Sequence, residues 1–391
     1  MLRLPQQLVG CNIYVSSAGR IGHTKSTEHI TLLLKLLEET QQHCQTIIDG
    51  RRQRDEAVSI PDQNNHAGQS LPVSDTVILV HAFADPTYNR SSFHLAGSAD
   101  QVANVASRLT TNALSRLQDL QQKHQNQRDP QEKQNTSFYE HPNVGLVDHV
   151  AVMPLYGRDD SIIPNEDETR NVDFVPRTAS GWAAQQIGQA LQSLQQDVEV
   201  FYYGSAHPQG TPLAEVRRER TNFFKSASLR HDNAQLQRQV ATVGAPLGFV
   251  ENFNIRLTHC PRKIAMSLTR HVRERDGGLP GVEALTLPYI NSSSQNSSSD
   301  SDCWEVACNL LRLDLATAED VRKRVDDWEQ QQKRQNKKND PEMNAKPLEI
   351  ECYRVGTTIQ ECLQALTLLP DEQAEHDKRV RRDFECYLGA S

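Results

Sequence analysis

The sequence predicts an α+β protein made of two halves, each with the element order β-α-β-β-α-β. Three observations support this prediction. The chain has 391 residues, which is long enough for two domains. Short apolar runs typical of buried strands alternate with segments of helical periodicity. The order of elements also repeats, although the two halves share negligible sequence similarity, and we therefore expect domains at 1–246 and 247–391.

The first half opens with an apolar strand at 9–15. Ser26 follows as the N-cap of a helix that we predict to end near Ile48. The polar, turn-rich stretch 51–71 is a predicted loop, and the low-complexity stretch 124–137 is predicted to be disordered. The other predicted elements of this half are strands at 76–82, 92–96, 146–153 and 198–203, and helices at 100–123, 182–194 and 213–224.

The second half repeats the pattern. Strands are predicted at 249–257, 282–287, 304–313 and 348–353, and helices at 262–275, 318–331, 358–366 and 371–386. Split β-α-β units of this kind, the ferredoxin-like arrangement, cover one face of each sheet with helices. Because ligands favour clefts between domains, we expect the two sheets to face each other across a ligand cleft.

Composition and charge argue against several classes of protein. No run of about 18 apolar residues occurs, so we expect no membrane span, and the first residues do not form a secretory signal. The net charge of −8 does not favour nucleic-acid binding. The eight cysteines form no Cys-x-x-Cys pair, which fits reduced thiols in the cytoplasm.

Positive charge is concentrated in the middle of this acidic chain. Residues 215–276 contain twelve Lys and Arg residues against six acidic residues. Such a basic region fits a ligand with carboxylate or phosphate groups. Solvated helix faces are the commoner explanation of a charge run, so the pattern alone leaves both interpretations open.

Several cofactor and nucleophile motifs are absent. The sequence has no P-loop, no Gly-x-Gly-x-x-Gly after a strand, no Gly-x-Ser-x-Gly and no His-Glu-x-x-His. We therefore expect neither a nucleotide nor a metal. The adjacent Asp148 and His149 carry metal-ligating atoms, but they lie inside an apolar strand, where a hydrogen-bonded histidine is the commoner role.

Two segments of the first half carry candidate site residues at strand ends. The turn 85–91 contains Asp85, Asn89 and Arg90. A well-made hairpin would explain Asp85 and Asn89, whereas an arginine at a strand end can point its donors into a cleft. Further on, Tyr203-Gly204 ends a strand that leads to the helix with Arg217, and a helix N-terminus beside a strand end is a natural anion site.

A third segment carries a candidate acid–base residue. Glu140 and His141 precede Pro142, at the entry to the strand that contains Asp148. A histidine on a backbone stiffened by proline is well placed for general acid–base catalysis. Solvated loop histidines are common, however, so the motif needs its context to carry a functional meaning.

Together these segments resemble the formiminotransferase part of formimidoyltransferase-cyclodeaminase, and most closely the plant-type formiminotransferase-like proteins. The likeness covers both halves and lacks the cyclodeaminase region. The matching residues are the turn 85–91, Glu140-His141-Pro142, Gly145, Asp148, Tyr203-Gly204, Arg217, Gly244-Ala245 and Phe253-Asn254.

The resemblance implies a transferase that moves a formimidoyl group between N-formiminoglutamate and tetrahydrofolate, in one-carbon and histidine-degradation chemistry. It implies that His141 shuttles a proton between the two nitrogens. It also implies tetrahydrofolate as co-substrate, a small glutamate-derived substrate, no metal, no nucleotide, and a homodimer in the cytoplasm. Substrate- or folate-binding roles are implied for Asp85, Asn89, Arg90, Glu140, Asp148, Tyr203, Gly204, Arg217, Gly244 and Asn254.

Several positions depart from the family pattern. An arginine expected soon after the catalytic histidine is Asn143, and one expected after Gly244-Ala245 is Pro246. The N-terminal Asn-Phe-Ser-Glu segment is changed around Tyr14, and residues 226–239 replace the usual folate-binding stretch. An alternative is therefore a non-catalytic or altered-specificity folate- or anion-binding protein of the same fold. A scaffold with partner-binding Gln-rich inserts is a weaker third alternative.

Overall fold

The protein is α+β, and its described residues form one sheet of six strands, one of four and a two-stranded ribbon. The computed structural model describes residues 7–21, 24–58, 76–127, 143–157, 176–194, 198–221, 223, 239–289, 303–339 and 347–389. These residues form two compact units. The first comprises the chain up to Leu247 together with the segment from Thr357 onward, and the second lies within Gly248–Gly356.

The first unit contains the six-stranded sheet and a short two-stranded ribbon. Its strands are β1 (Leu8–Val15), β2 (Arg20–Ile21), β3 (Thr24–Lys25), β4 (Val77–Asp85), β5 (Arg90–Ser98), β6 (Val147–Pro154), β7 (Val198–Gly204) and β8 (Gln239–Ala245). Its helices are α1 (Thr27–Val58), α2 (Ala99–Gln127), α3 (Ala179–Leu194) and α4 (Leu213–Arg220).

The second unit contains the four-stranded sheet. Its elements are β9 (Glu251–Thr258), α5 (Arg262–Val272), a 3₁₀ turn (Glu274–Asp276), β10 (Val282–Pro288), β11 (Trp304–Leu310), α6 (Ala318–Asn339) and β12 (Glu349–Val355). Two more helices follow and belong to the first unit: α7 (Ile359–Ala365) and α8 (Pro370–Leu388).

Both sheets have the same core topology. The large sheet has the strand order β4-β5-β1-β6-β8-β7, and the small one has the order β10-β11-β9-β12. In each, the first strand of the β-α-β-β-α-β repeat lies between the third and the fourth, and these four strands are antiparallel. The predicted repeat is therefore present in both units. Strands β8 and β7 extend the first sheet in parallel pairing.

Each sheet has one apolar face and one polar face because strand side chains alternate. In the first unit, Cys11 and Ile13 of β1 and Val150 of β6 join the core beneath the helices. The neighbouring positions Tyr14 and His149 lie on the other face of the sheet, away from that core. This second face carries the candidate site.

The C-terminal segment differs from its predicted place. The sequence assigned everything after residue 247 to the second domain, whereas the structure packs α7 and α8 against the first unit. Phe384 of α8 is fully buried against Phe93 of β5, and Nε2 of His376 lies 3.1 Å from the carbonyl oxygen of Leu79. Adjacency in sequence does not fix which core a terminal helix joins.

No helix within the described ranges is both long and apolar enough to cross a lipid bilayer.

Candidate functional site

A β-bulge in β6 defines the centre of the candidate site. Tyr14 pairs with His149, but the next residue of β1, Val15, pairs with Val147, so Asp148 is an extra residue between them. A bulge re-aims a side chain that would otherwise point to the opposite face. The Asp148 side chain can thereby reach the guanidinium groups of Arg90 and Arg217. In a regular strand, Asp148 and its neighbour His149 would lie on opposite faces, whereas here both lie on the polar face.

Asp148 is fully buried and accepts several hydrogen bonds. Its Oδ2 accepts from Nη2 of Arg90 at 2.8 Å, and its Oδ1 accepts from the backbone N–H of Val144 at 2.8 Å. Its carbonyl oxygen accepts from the hydroxyl of Thr242 at 2.9 Å. These contacts fix the position of the carboxylate. Nη2 of Arg217 lies farther away, 3.6 Å from Oδ2.

Arg217 is a buried cation whose donors are incompletely satisfied. Its side chain is only 10% exposed, and its plane stacks on Phe223 with Cζ 4.1 Å from the ring centre. Among the described residues, neither Nε nor Nη2 of Arg217 has a hydrogen-bond partner. Burial lowers the pKa of this guanidinium, and the nearby Asp148 carboxylate opposes that shift. Leaving charged donors buried and unpaired is costly, so the arrangement favours a bound anion.

The charges of the cluster do not cancel. Arg90 and Arg217 carry two positive charges and Asp148 carries one negative charge, which leaves one positive charge in a largely buried setting. A carboxylate or phosphate oxygen would complete the balance, and arginine forks bind such groups with two parallel hydrogen bonds.

Aromatic side chains line the same face of the sheet. Arg90 lies over the ring of Tyr14, with Cζ 4.2 Å from its centre. The Tyr14 ring in turn stacks on His149 at 5.6 Å with an interplanar angle of 7°. Nε2 of His149 lies 2.8 Å from the hydroxyl oxygen of Tyr203. Burial raises the pKa of both tyrosines, so both hydroxyls are protonated at neutral pH.

Two predicted site glycines create space for this arrangement. A Cβ on Gly244 would overlap the ring and the carbonyl oxygen of Tyr203. Gly204 has φ +59°, and a Cβ there would overlap the carbonyl oxygen of Ala245. Both positions lie where β7 and β8 approach each other closely, and they shape the site without supplying polar side-chain atoms.

Asp85 and Asn89 shape the turn that positions Arg90. Oδ1 of Asp85 accepts from the backbone N–H groups of Thr87 and Tyr88 at 2.8 and 3.2 Å. Asn89 has φ +48°, and its Oδ1 accepts from the N–H of Ala18 at 2.8 Å. These hydrogen bonds hold the β4–β5 turn and tie it to the backbone of Ala18.

The remaining predicted site residues lie elsewhere. Asn254 is in β9 of the second unit, where its Nδ2 donates to Oε1 of Glu305 at 3.0 Å. Glu305 is buried and also accepts from the Tyr353 hydroxyl. Glu140 and His141 lie outside the residues that the structure describes. Within the described ranges, no group of three or more His, Cys, Asp or Glu side chains could hold a metal ion.

Sequence reasoning missed two members of the cluster. It assigned His149 to a structural role because His149 lies inside an apolar strand, where a hydrogen-bonded histidine is the commoner role. The bulge that puts Asp148 and His149 on one face has no sequence signature here. Phe223 was predicted to be part of a helix ending at 224, but α4 ends at Arg220 and Phe223 lies against Arg217.

Comparison with known proteins gives a match to a family model and to a related protein. Residues 62–247 match the model of the formiminotransferase domain, N-terminal subdomain. A formiminotransferase cyclodeaminase-like protein from Arabidopsis thaliana is 25% identical over 200 residues, which cover 46% of this chain and 57% of that relative. Among solved structures, the periplasmic protease PqqL from Escherichia coli aligns with a TM-score of 0.14 and 10% identity, over 98% of this chain and 42% of the protease chain. This TM-score is too low to indicate a shared fold.

The matched region contains the cluster described above. Arg90, Asp148, Tyr203, Arg217 and Gly244 all fall between residues 62 and 247. The comparisons confirm the resemblance inferred from the sequence motifs: residues 62–247 of this chain match the formiminotransferase domain, N-terminal subdomain.

Proposed function

We propose that this protein is a formimidoyltransferase that moves a formimidoyl group between N-formiminoglutamate and tetrahydrofolate. The observation that carries the proposal is the buried Arg217, whose Nε and Nη2 have no hydrogen-bond partner among the described residues. Both proposed substrates carry carboxylates, which would accept from these donors. The match to the formiminotransferase domain, N-terminal subdomain, supports transferase chemistry at this site.

The proposed chemistry needs charge recognition and proton transfer. Arg90 and Arg217 would bind a substrate carboxylate, and Asp148 would hold their guanidinium groups apart and oriented. His141 remains the proposed proton shuttle on the strength of the Glu140-His141-Pro142 motif. Tetrahydrofolate acts as co-substrate in this proposal, with no metal and no nucleotide.

The proposal also covers the type of subdomain, the cellular location, the oligomeric state and the partners. The strand order shared by both sheets supports two ferredoxin-like subdomains, divided near residue 247, with the helices after Thr357 joined to the first. We further propose that the protein works in the cytoplasm as a homodimer, and that its partners are folate and a small glutamate-derived substrate rather than nucleic acid or membrane.

The alternative is a folate- or anion-binding protein without this catalysis. Asn143 and Pro246 stand where the family pattern has arginines. The loss of these two positive charges would weaken the binding of a second anionic substrate, whereas Arg90 and Arg217 would still bind the first. This alternative predicts binding of one ligand without turnover.

The experiment is a titration with tetrahydrofolate, followed by addition of N-formiminoglutamate and detection of 5-formimino-tetrahydrofolate. We expect turnover of about 1 per second or more, at least a tenfold loss of binding in Arg217→Gln, and loss of turnover in His141→Ala. Arg218→Gln is the matched control, since Arg218 is an exposed neighbour on α4. Binding without turnover would favour the alternative, and absence of binding would contradict both.

A further inference from the structure

Thr242 on β8 is a fully buried residue beside the bulge that carries Asp148. Its hydroxyl donates to the carbonyl oxygen of Asp148 at 2.9 Å. We propose that Thr242 is a positioning residue: its hydroxyl fixes the backbone of the bulge and keeps the Asp148 carboxylate at the distance from Arg217 that ligand binding requires. The proposal rests on the proposed function for the identity of the ligand, and on the contacts of Asp148 for the geometry.

The bulge resolves a conflict between charge and burial where β6 pairs with β1. Tyr14 pairs with His149. Regular antiparallel pairing would then place Asp148 opposite Val15, whose side chain lies in the apolar core. A carboxylate in that core would be very costly to bury. With the bulge, Val147 takes the core position opposite Val15 instead, and Asp148 is directed to the polar face.

The same bulge leaves Asp148 without a register partner in the described strands. The pairing of β6 with β1 skips it, and the pairing with β8 begins one residue later, with His149 opposite Thr242. On the β1 side, the N–H of Ser16 donates to the carbonyl oxygen of Leu146 at 2.9 Å, which fixes the chain before the bulge. The bond from the Thr242 hydroxyl fixes the peptide group of Asp148 itself.

Asp148 is therefore held through its backbone and through its side chain. The carbonyl oxygen accepts from Thr242, while the carboxylate accepts from the N–H of Val144 and from Arg90, each at 2.8 Å. A charged side chain fixed in this way keeps its geometry before a ligand arrives.

The distance between Asp148 and Arg217 is what this rigidity maintains. Nη2 of Arg217 lies 3.6 Å from Oδ2 of Asp148, beyond the usual hydrogen-bond length of about 3.2 Å. Nη2 and Nε of Arg217 have no partner among the described residues and can both donate to a ligand carboxylate. If the bulge loosened, the attraction between these buried charges would draw the Asp148 carboxylate onto Nη2, where it would compete with the ligand.

The first test follows the geometry and needs no ligand. In ¹H–¹⁵N spectra of the full chain, the amide signal of Val144 reports the bond to the Asp148 carboxylate. It is assigned in ¹⁵N-valine-labelled protein by its loss in Val144→Leu. We expect this signal to shift in Thr242→Val, which keeps the shape of the side chain but removes the hydroxyl, and to return toward its wild-type position in Thr242→Ser.

Thr110→Val is the matched control for the loss of a buried hydroxyl. Thr110 is equally buried, and its hydroxyl donates to the carbonyl oxygen of Ala106 at 2.8 Å within α2. The variant loses a comparable hydrogen bond in the same unit, so we expect a comparable loss of stability and an unchanged Val144 signal.

The second test measures ligand binding and turnover. Thr242→Val should bind tetrahydrofolate about tenfold more weakly, whereas Thr242→Ser and Thr110→Val should bind it nearly as the wild type does. In the transfer assay the KM for tetrahydrofolate should rise by a similar factor with little change in kcat, because the arginines hold a group that the reaction does not alter. A merely structural role would reduce the amount of active protein, and so kcat, and leave KM unchanged.

Three results would overturn the proposal. One is an unchanged Val144 signal in Thr242→Val, and another is an equal shift in Thr110→Val. The third is an unchanged affinity for tetrahydrofolate in a Thr242 variant whose Val144 signal has shifted. If Thr242→Val does not fold, Thr242→Ala replaces it with the same expectations. If the wild type binds no tetrahydrofolate, the proposed function fails, while the Val144 signal still decides whether the Thr242 hydroxyl positions Asp148.

Discussion

Asp148 provides the negative charge that faces the buried Arg217 and the half-buried Arg90 at the site of the first unit. Asp148→Asn would remove the carboxylate that both Arg90 and Arg217 face. Breaking a buried ion pair from one side costs about 3 kcal/mol, so we expect the urea midpoint to fall accordingly. Asp314→Asn, which breaks the exposed ion pair with Arg312, is the control and should change stability by less than about 0.5 kcal/mol. Equal effects of the two variants would contradict the burial argument.

Gly244 tests whether the position of the Tyr203 ring matters to the site. In Gly244→Ala the new methyl group would displace this ring, and with it the hydroxyl that binds His149. We expect a lower melting temperature and weaker binding of tetrahydrofolate, measured by calorimetry. Gly50→Ala is the matched change, because no heavy atom lies near its Cβ position in α1 and alanine favours a helix by about 0.5–1 kcal/mol. An unchanged affinity of Gly244→Ala for tetrahydrofolate would show that the position of the Tyr203 ring does not matter to binding.

At the scale of elements, periodicity predicted most strands and helices, and the departures have identifiable causes. Helix α1 continues to Val58, past the predicted end near Ile48. The prediction stopped early because the last residues lack an apolar stripe, although several of them favour helix intrinsically. Strand β8 was not predicted, since Gln239–Ala245 is short and rich in small residues and follows a Gln-rich stretch. The bulge at Asp148 depends on pairing with β1, which local sequence does not encode.

The packing of α8 on α1 leads to a testable prediction at this scale. Burial raises the pKa of Asp377 to about 6, above its ordinary value near 4. The folded state therefore binds this proton more tightly than the unfolded state, and the associated stability is present at low pH and lost as the pH rises through about 6.

Asp377→Asn should remove this pH dependence because the amide resembles the protonated acid. We expect the variant and the wild type to have similar melting temperatures near pH 4 and the variant to be the more stable at pH 8. Asp383→Asn, on a more exposed position of the same helix, is the control. His376 titrates in both proteins and cancels in the comparison. A wild type that gains on the variant with rising pH would contradict the assignment.

At the scale of the whole molecule, chain order and packing order differ. The repeat of strands and helices suggested that everything after residue 247 belongs together, and the second repeat does end with β12 at Val355. The helices that follow return to the first unit, where Thr357 lies 3.3 Å from Nδ1 of His94 and Gln41 donates to the carbonyl oxygen of Asp377 at 2.9 Å. The stability of the first sheet therefore depends on residues from both ends of the chain.

Phe384→Ala tests this dependence directly. Phe384 is fully buried against Phe93, with ring centres 5.5 Å apart, and truncation of such a side chain costs about 3–5 kcal/mol. Amide hydrogen exchange should then accelerate in β4 and β5 while β9 and β11 keep their protection, because exchange follows local cooperative units. Leu268→Ala, in the core of the second unit, should give the reverse pattern. If Phe384→Ala instead exposes the second unit and spares the first, the C-terminal helices do not stabilise the sheet that carries Arg90 and Asp148.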